Sequence, residues 1–175
     1  MWRKVCGVTG PIPARLQAAR RSVHAFAHER KKLFYSSSMD CVLFLDDDQR
    51  RHARFRLRMG ALGHHLRHQL LYVFTAADAI AALRAYEGEI THAFLDHDLC
   101  VDDQLVVPGA PSKVPTGMAV VDHIVTMRQP PPKVTVHSFN YLAALEMCAR
   151  LSRLPSVAIQ HIPFTELLDQ LDPLV

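Results

Sequence analysis

Five apolar residues, Cys41-Val42-Leu43-Phe44-Leu45, run without a polar break into three consecutive carboxylates, Asp46, Asp47 and Asp48. A short apolar run bounded this way reads as a strand buried on both faces. The acids then stand where the strand leaves the sheet, at the carboxyl edge where open α/β sheets bind ligands. Adjacent carboxylates repel one another, and the first basic residues after them are Arg50 and Arg51. A hard divalent cation, Mg²⁺ or Mn²⁺, would relieve that repulsion through oxygen ligands. The plain alternative is a solvated Asp-rich turn that caps the next helix.

The pattern recurs, which favours a site. Thr91 to Leu95 is a second apolar strand, ending in Asp96-His97-Asp98. Val134 to Val136 leads into His137-Ser138-Phe139-Asn140, and Val157 to Gln160 leads into His161. Strand ends that carry Asp, His and Ser at one edge of a parallel sheet converge on one pocket.

The intervening segments supply the helices that such a sheet needs. Gln49 to Leu66 has apolar positions at Phe55, Leu57, Met59, Leu62 and Leu66, weakened by Gly60 and Gly63. Leu70 to Phe74 reads as a further strand, and Thr75 with Asp78 three residues on suits the cap of a helix over Ala76 to Tyr86. Val101 to Pro115 is a long loop rich in Pro, Gly and Asp, a length that marks functional loops. Thr116-Gly117 opens a helix over Met118 to Met127. Asn140 caps another over Tyr141 to Leu154, with Leu142, Leu145, Met147, Cys148 and Leu151 toward the core, and Thr165 to Leu171 forms the last. The alternation implies a five-stranded parallel sheet with helices on both faces. His64, His65 and His68 stand at a helix end with no acid nearby, and solvated surface is the expectation for them.

Composition sets the boundaries of the reading. With 175 residues, 49% of them hydrophobic, the chain can build one full core with an appendage. No apolar run approaches the roughly 18 residues of a membrane span, and no secretory leader is evident, so a cytoplasmic protein with no membrane partner is expected. Cys6, Cys41, Cys100 and Cys148 lack CxxC spacing and read as reduced thiols. Residues 1–38 hold eight Lys or Arg against one Glu. They read as a basic extension, helical over 14–34, that could meet an acidic or nucleic-acid partner, whereas residues 39–175 form the domain proper and are net acidic.

That order of elements resembles the receiver domain of response regulators over residues 40–172, with Leu43-Phe44-Leu45-Asp46-Asp47-Asp48 first, Phe94-Leu95-Asp96 at the third strand, Ser138 at the fourth and Pro163-Phe164 after the fifth. The resemblance implies a flavodoxin-like three-layer sandwich. It further implies that Asp46 and Asp47 help hold Mg²⁺, that Asp96 is metal ligand and phospho-acceptor, and that Ser138 contacts the phosphoryl group. Ile162 stands where receivers carry a lysine before the Pro-Phe pair. Leu95-Asp96-His97-Asp98-Leu99 together with His137-Ser138-Phe139-Asn140, Thr116-Gly117 and Met147 is more specific, and is similar to the cyclic-phosphate processing receiver domains. The chain departs from that pattern at Tyr141-Leu142-Ala143, where proline and glycine are more usual.

What the second resemblance implies is processing of a cyclic phosphate, such as the 2′,3′-cyclic end of a cleaved RNA or nucleotide. The residue types fit such chemistry, which needs a cation, an activated water and an acid for the leaving oxygen. Asp46, Asp47 and Asp96 are the expected metal ligands, with Asp96, His97 and His137 catalytic, and Ser138 and Asn140 on the phosphate. Asp48, Asp98 and His161 are secondary candidates, His161 standing in for the missing lysine. Two alternatives remain open at this point: a module that senses a phosphorylated or cyclic-nucleotide ligand without turnover, and a divergent receiver phosphorylated on Asp96.

Overall fold

The computed structural model describes residues 40–99 and 115–171, all within the unit Ser38–Val175. The expected basic helix over 14–34, Cys6, Cys100 and residues 101–114 of the long loop lie outside the described residues. Among those described, no helix is long and apolar enough to cross a membrane.

The elements alternate as β1 (Asp40–Leu45), α1 (Gln49–Ala61), β2 (His68–Val73), α2 (Ala76–Ala85), β3 (Ile90–Leu95), α3 (Gly117–Ile124), β4 (Lys133–Val136), α4 (Tyr141–Leu151), β5 (Ala158–His161) and α5 (Phe164–Leu167). The strands form one parallel sheet in the order β2-β1-β3-β4-β5. That order is flavodoxin-like, and it places the switch point of the chain between β1 and β3.

Strand alternation divides the core between the two faces. Cys41, Leu43 and Leu45 point to one side, where Ala93, Leu95, Val134 and Val136 meet Leu83 of α2, Val120 and Ile124 of α3, and Met147 and Leu151 of α4. Val42, Phe44 and Phe94 point to the other, packing with Phe55 and Met59 of α1 and with Phe164 and Leu167 of α5. The first face is aliphatic and the second largely aromatic.

Several boundaries differ from the sequence expectation. Helix α1 stops at Ala61, because Gly63 takes a left-handed conformation (φ 75°) and a separate 3₁₀ turn, His64–Leu66, follows. Leu66, in that turn, faces solvent, as does Leu57 on the outer side of α1. In α4 the inward residues are Ala144, Met147 and Leu151, while Leu142 and Leu145 are exposed. Spacing of three and four residues from Ala144 selects that stripe and leaves Leu142 opposite it. His64, expected at the surface with His65 and His68, is instead buried, its ring 5.6 Å from that of half-buried His68; His65 is exposed.

Candidate metal centre at the carboxyl edge of the sheet

Register brings the site together. Leu45 pairs with Leu95, and Leu95 with Val136, so the next residue on each strand emerges at the same level. The Asp96 N–H donates to the Leu45 carbonyl (3.0 Å), and the His137 N–H to the Leu95 carbonyl (2.9 Å). Asp46, Asp96 and His137 thus occupy adjacent strand ends at the switch point. The loop after β3 is held there by α3: the Gly117 N–H donates to the His97 carbonyl (3.0 Å), and a Cβ on Gly117 would collide with the Asp96 carbonyl. Only glycine allows that approach.

Asp46, Asp47 and Asp96 each offer a carboxylate oxygen within 4.8 Å of the other two. Asp46 and Asp96 are buried and Asp47 half-buried. Burial pushes the Asp46 carboxyl up to about 7, against the opposing pull of the Asp48 backbone N–H and of Arg51. Asp96 is likewise raised by burial, with Arg51, the Ser138 hydroxyl and the His97 N–H pulling the other way. Asp46 Oδ1 accepts the Asp48 N–H at 2.7 Å, whereas Oδ2 has no hydrogen-bond partner among the described residues. An orphaned buried carboxylate oxygen beside two more acids suits a hard cation with oxygen ligands. The donor set therefore fits Mg²⁺ or Mn²⁺.

Sequence reasoning passed over one member of this cluster. Arg51, on the first turn of α1, places Nη2 at 3.1 Å from Asp46 Oδ1, 3.2 Å from Asp47 Oδ1 and 3.0 Å from Asp96 Oδ2. Side chains on a helix lean toward its N-terminus, so a residue four after Asp47 reaches back over the strand end. The i, i+4 spacing was the available signal. Its contact with Asp96 was not legible, since that depends on strand pairing.

A second group lines the rim. His97 Nδ1 is 2.6 Å from Asp98 Oδ1, and Asn140 Nδ2 donates to the same oxygen at 3.3 Å. Asn140 also caps α4, its Oδ1 accepting the Ala143 N–H (3.2 Å). The buried Ser138 joins the two groups: its Oγ accepts the Asn140 N–H (3.2 Å), and its hydroxyl bonds the Asp96 carboxylate.

Comparison with known families decides the lineage. The model of the cyclic-phosphate processing receiver domain matches residues 41–153. The chain belongs to that family. Solved structures agree on the fold: the bacteriophytochrome response regulator RtBRR superposes with a TM-score of 0.52 at 17% identity, over 78% of each chain. The Mn²⁺-bound form of the response regulator Rcp1 gives 0.50 at 14% identity, over 77% of this chain and 90% of that one. Comparison with curated proteins returns no match.

Within this cyclic-phosphate processing receiver domain, three expected site residues, His137, His161 and Asp48, make packing, supporting or capping contacts. His137 is fully buried beneath Asp46, its ring stacked on Phe44 (5.0 Å between centroids) and its Nδ1 3.7 Å from Asp46 Oδ2. Burial drives its pKa down to about 3, so it is a neutral packing partner, not an accessible acid or base. His161 Nε2 lies 3.1 Å from the Ser138 carbonyl and so donates to it, a supporting contact for the loop that carries Ser138. Ile162, at the lysine position, is buried in the aromatic core. Asp48 caps α1, accepting the Arg50 N–H at 2.7 Å. His52 reinforces the same corner, its Nε2 donating to the Asp46 carbonyl at 2.7 Å while its ring stacks on Phe74.

Proposed function

We propose that this domain opens cyclic phosphates with the help of a divalent cation held by Asp46, Asp47 and Asp96. The observation that carries the reading is the meeting of those three carboxylates with Ser138 at the switch point of the sheet. The metal, Mg²⁺ or Mn²⁺, would supply charge neutralisation on the phosphoryl oxygens and acidify a water. Membership of the family supports a cyclic phosphate as the substrate class, and the Mn²⁺-bound form of Rcp1 supports a divalent ion on this fold.

The chain's own residues then divide the work. Ser138 and Asn140 hold the phosphate at the start of α4, where the positive helix end faces outward. His97, its Nδ1 engaged by Asp98, presents Nε2 to the substrate. Attack of water on phosphorus forms one P–O bond and breaks another in the ring; the water gives up a proton and the departing ribose oxygen receives one. His97 carries protons in that exchange, its imidazole having one nitrogen to accept and one to donate. Asp96 binds metal, and His137 packs beneath Asp46. The same site would accept a 2′,3′-cyclic phosphate on a mononucleotide or at an RNA end.

The test is incubation of the whole chain with a 2′,3′-cyclic mononucleotide and Mg²⁺, then Mn²⁺. Asp96→Asn is expected to lower turnover by about 10³-fold, the scale of losing a group that acts at the reacting centre. Equal turnover in the variant would overturn the assignment. The seclusion of His137, which leaves His97 to carry protons at the rim, favours a second reading as a sensor; tight binding without turnover selects it. Ile162 weighs against ordinary phosphorelay, and labelling of Asp96 by acetyl phosphate would restore that reading.

A further inference from the structure

The cluster already contains a cation, and it belongs to the chain. We propose that Arg51 is an exchangeable counter-ion: its guanidinium and the divalent metal are alternative occupants of the same three carboxylates. This inference rests on the metal reading above and extends it to the metal-free state.

The oxygens settle the matter of overlap. Nη2 of Arg51 contacts Oδ1 of Asp46, Oδ1 of Asp47 and Oδ2 of Asp96, one oxygen from each acid. On Asp96 the other oxygen is engaged by the His97 N–H at 2.8 Å. On Asp46, Oδ1 also accepts the Asp48 N–H, and Oδ2 is the oxygen without a hydrogen-bond partner among the described residues, 3.7 Å from His137 Nδ1. A metal held by all three acids therefore shares at least Asp96 Oδ2 with Nη2, and stands within the same cluster of carboxylates. A guanidinium nitrogen and a divalent ion cannot both stand at one point, and their charges repel. Entry of the metal must move Arg51 aside.

The surroundings say where the displaced group goes. Its carbon lies 5.9 Å from the centre of the Phe139 ring and 5.8 Å from that of Phe164, within the range at which aromatic faces hold a guanidinium. Phe139 lies between Ser138 and Asn140 and is exposed at the rim. A guanidinium that shifts toward it stays at the phosphate side of the pocket, where it can pair bidentately with phosphoryl oxygens. It thereby supplies the positive charge that Ile162, enclosed in the core, cannot. Arg51 is thus a positioning residue without metal and a phosphate ligand with it.

Two measurements test the exchange. Mn²⁺ titration by calorimetry, without phosphate, compares wild type with Arg51→Gln. Removing the competitor should tighten Mn²⁺ binding by roughly tenfold, the scale of a partly desolvated charge pair. Unchanged or weaker affinity in the variant overturns the exchange while leaving the metal site standing. Absence of Mn²⁺ binding in both proteins overturns the exchange and the metal reading together. Should Arg51→Gln fail to fold, ¹⁵N spectra of the wild-type arginine side chains decide: Mg²⁺ is expected to shift the Arg51 Nε–H resonance, and an unmoved signal while Mg²⁺ binds sinks the proposal.

Discussion

The two faces of the sheet are built from different chemistry. On the side of α2, α3 and α4 the contacts are aliphatic: Leu43, Leu45, Leu83, Ala93, Leu95, Val120, Ile124, Val134, Val136 and Leu151 close over one another. On the side of α1 and α5, Phe44 touches Phe55, Tyr72, Phe94 and Phe164, and the rings of His52 and His137 are set among them. Burial lowers the pKa of both histidines, which are held neutral. The first face only needs volume. The second must also support a carboxylate above it, and flat polarisable rings with polar edges can do both.

Substitutions can break this contrast. Leu43→Ala, on the aliphatic face, should cost about 2–5 kcal/mol in denaturant unfolding, the range for emptying a packed leucine site, with Mn²⁺ affinity kept. A matching loss of metal binding would show that the faces are not separable. Gly117→Ala should cost about 1–3 kcal/mol, since its new Cβ meets backbone that cannot step aside. Here metal affinity should fall as well, because the collision is with Asp96 itself; unchanged affinity would show that the β3 loop adapts.

The effect of pH sharpens the comparison further. The raised carboxyls of Asp46 and Asp96 let the native state keep protons that the unfolded chain releases, so their contribution is present in acid and is lost as pH rises, toward about 7 for Asp46. His137 works oppositely. Its folded pKa is depressed from 6.5 to about 3, so the unfolded chain takes up a proton that the native state refuses, and stability is lost as pH falls below its ordinary value. His137→Phe removes that second contribution alone. Relative to wild type, its stability should therefore decline as pH rises across this window, by up to about 1.4 kcal/mol per pH unit. Thermal unfolding at several pH values reads the slope, and parallel curves would contradict it. The smallest effect is expected at Leu142, exposed on α4, where Ala should change stability by no more than about 0.5 kcal/mol.

Much of the fold was legible because the strands are short, apolar and abruptly ended. The runs before Asp46 and Asp96 fixed both the strand type and the edge at which chemistry would gather. Thr75, Thr116 and Asn140 cap the helices they were expected to cap, each accepting a backbone N–H in the first turn. What escaped detection depends on contacts distant in sequence. Residue type alone does not distinguish Leu142, which is exposed, from Met147, which is buried; the stripe through Ala144 does. His137 looked like Asp96 as a polar residue at a strand end, yet the pleat turns its ring down onto Phe44. Arg51 stood out only as one of the first basic residues after the acids, and its reach to Asp96 requires β1 and β3 to be neighbours.

The anchoring of α1 has a consequence for how the domain can respond to its ligands. The helix is tied at its start by His52 to the Asp46 carbonyl and near its end by Arg58 Nε, which donates to the Leu168 carbonyl at 2.9 Å. Between those ties, Phe55 and Met59 are locked into the core. Whichever positive charge the acids receive, the scaffold that offers them stays put, and the adjustment is confined to the reach of one long side chain. With the exchange proposed for Arg51, the domain resembles a rigid socket with a movable pin, trading one ion for another without remaking its walls.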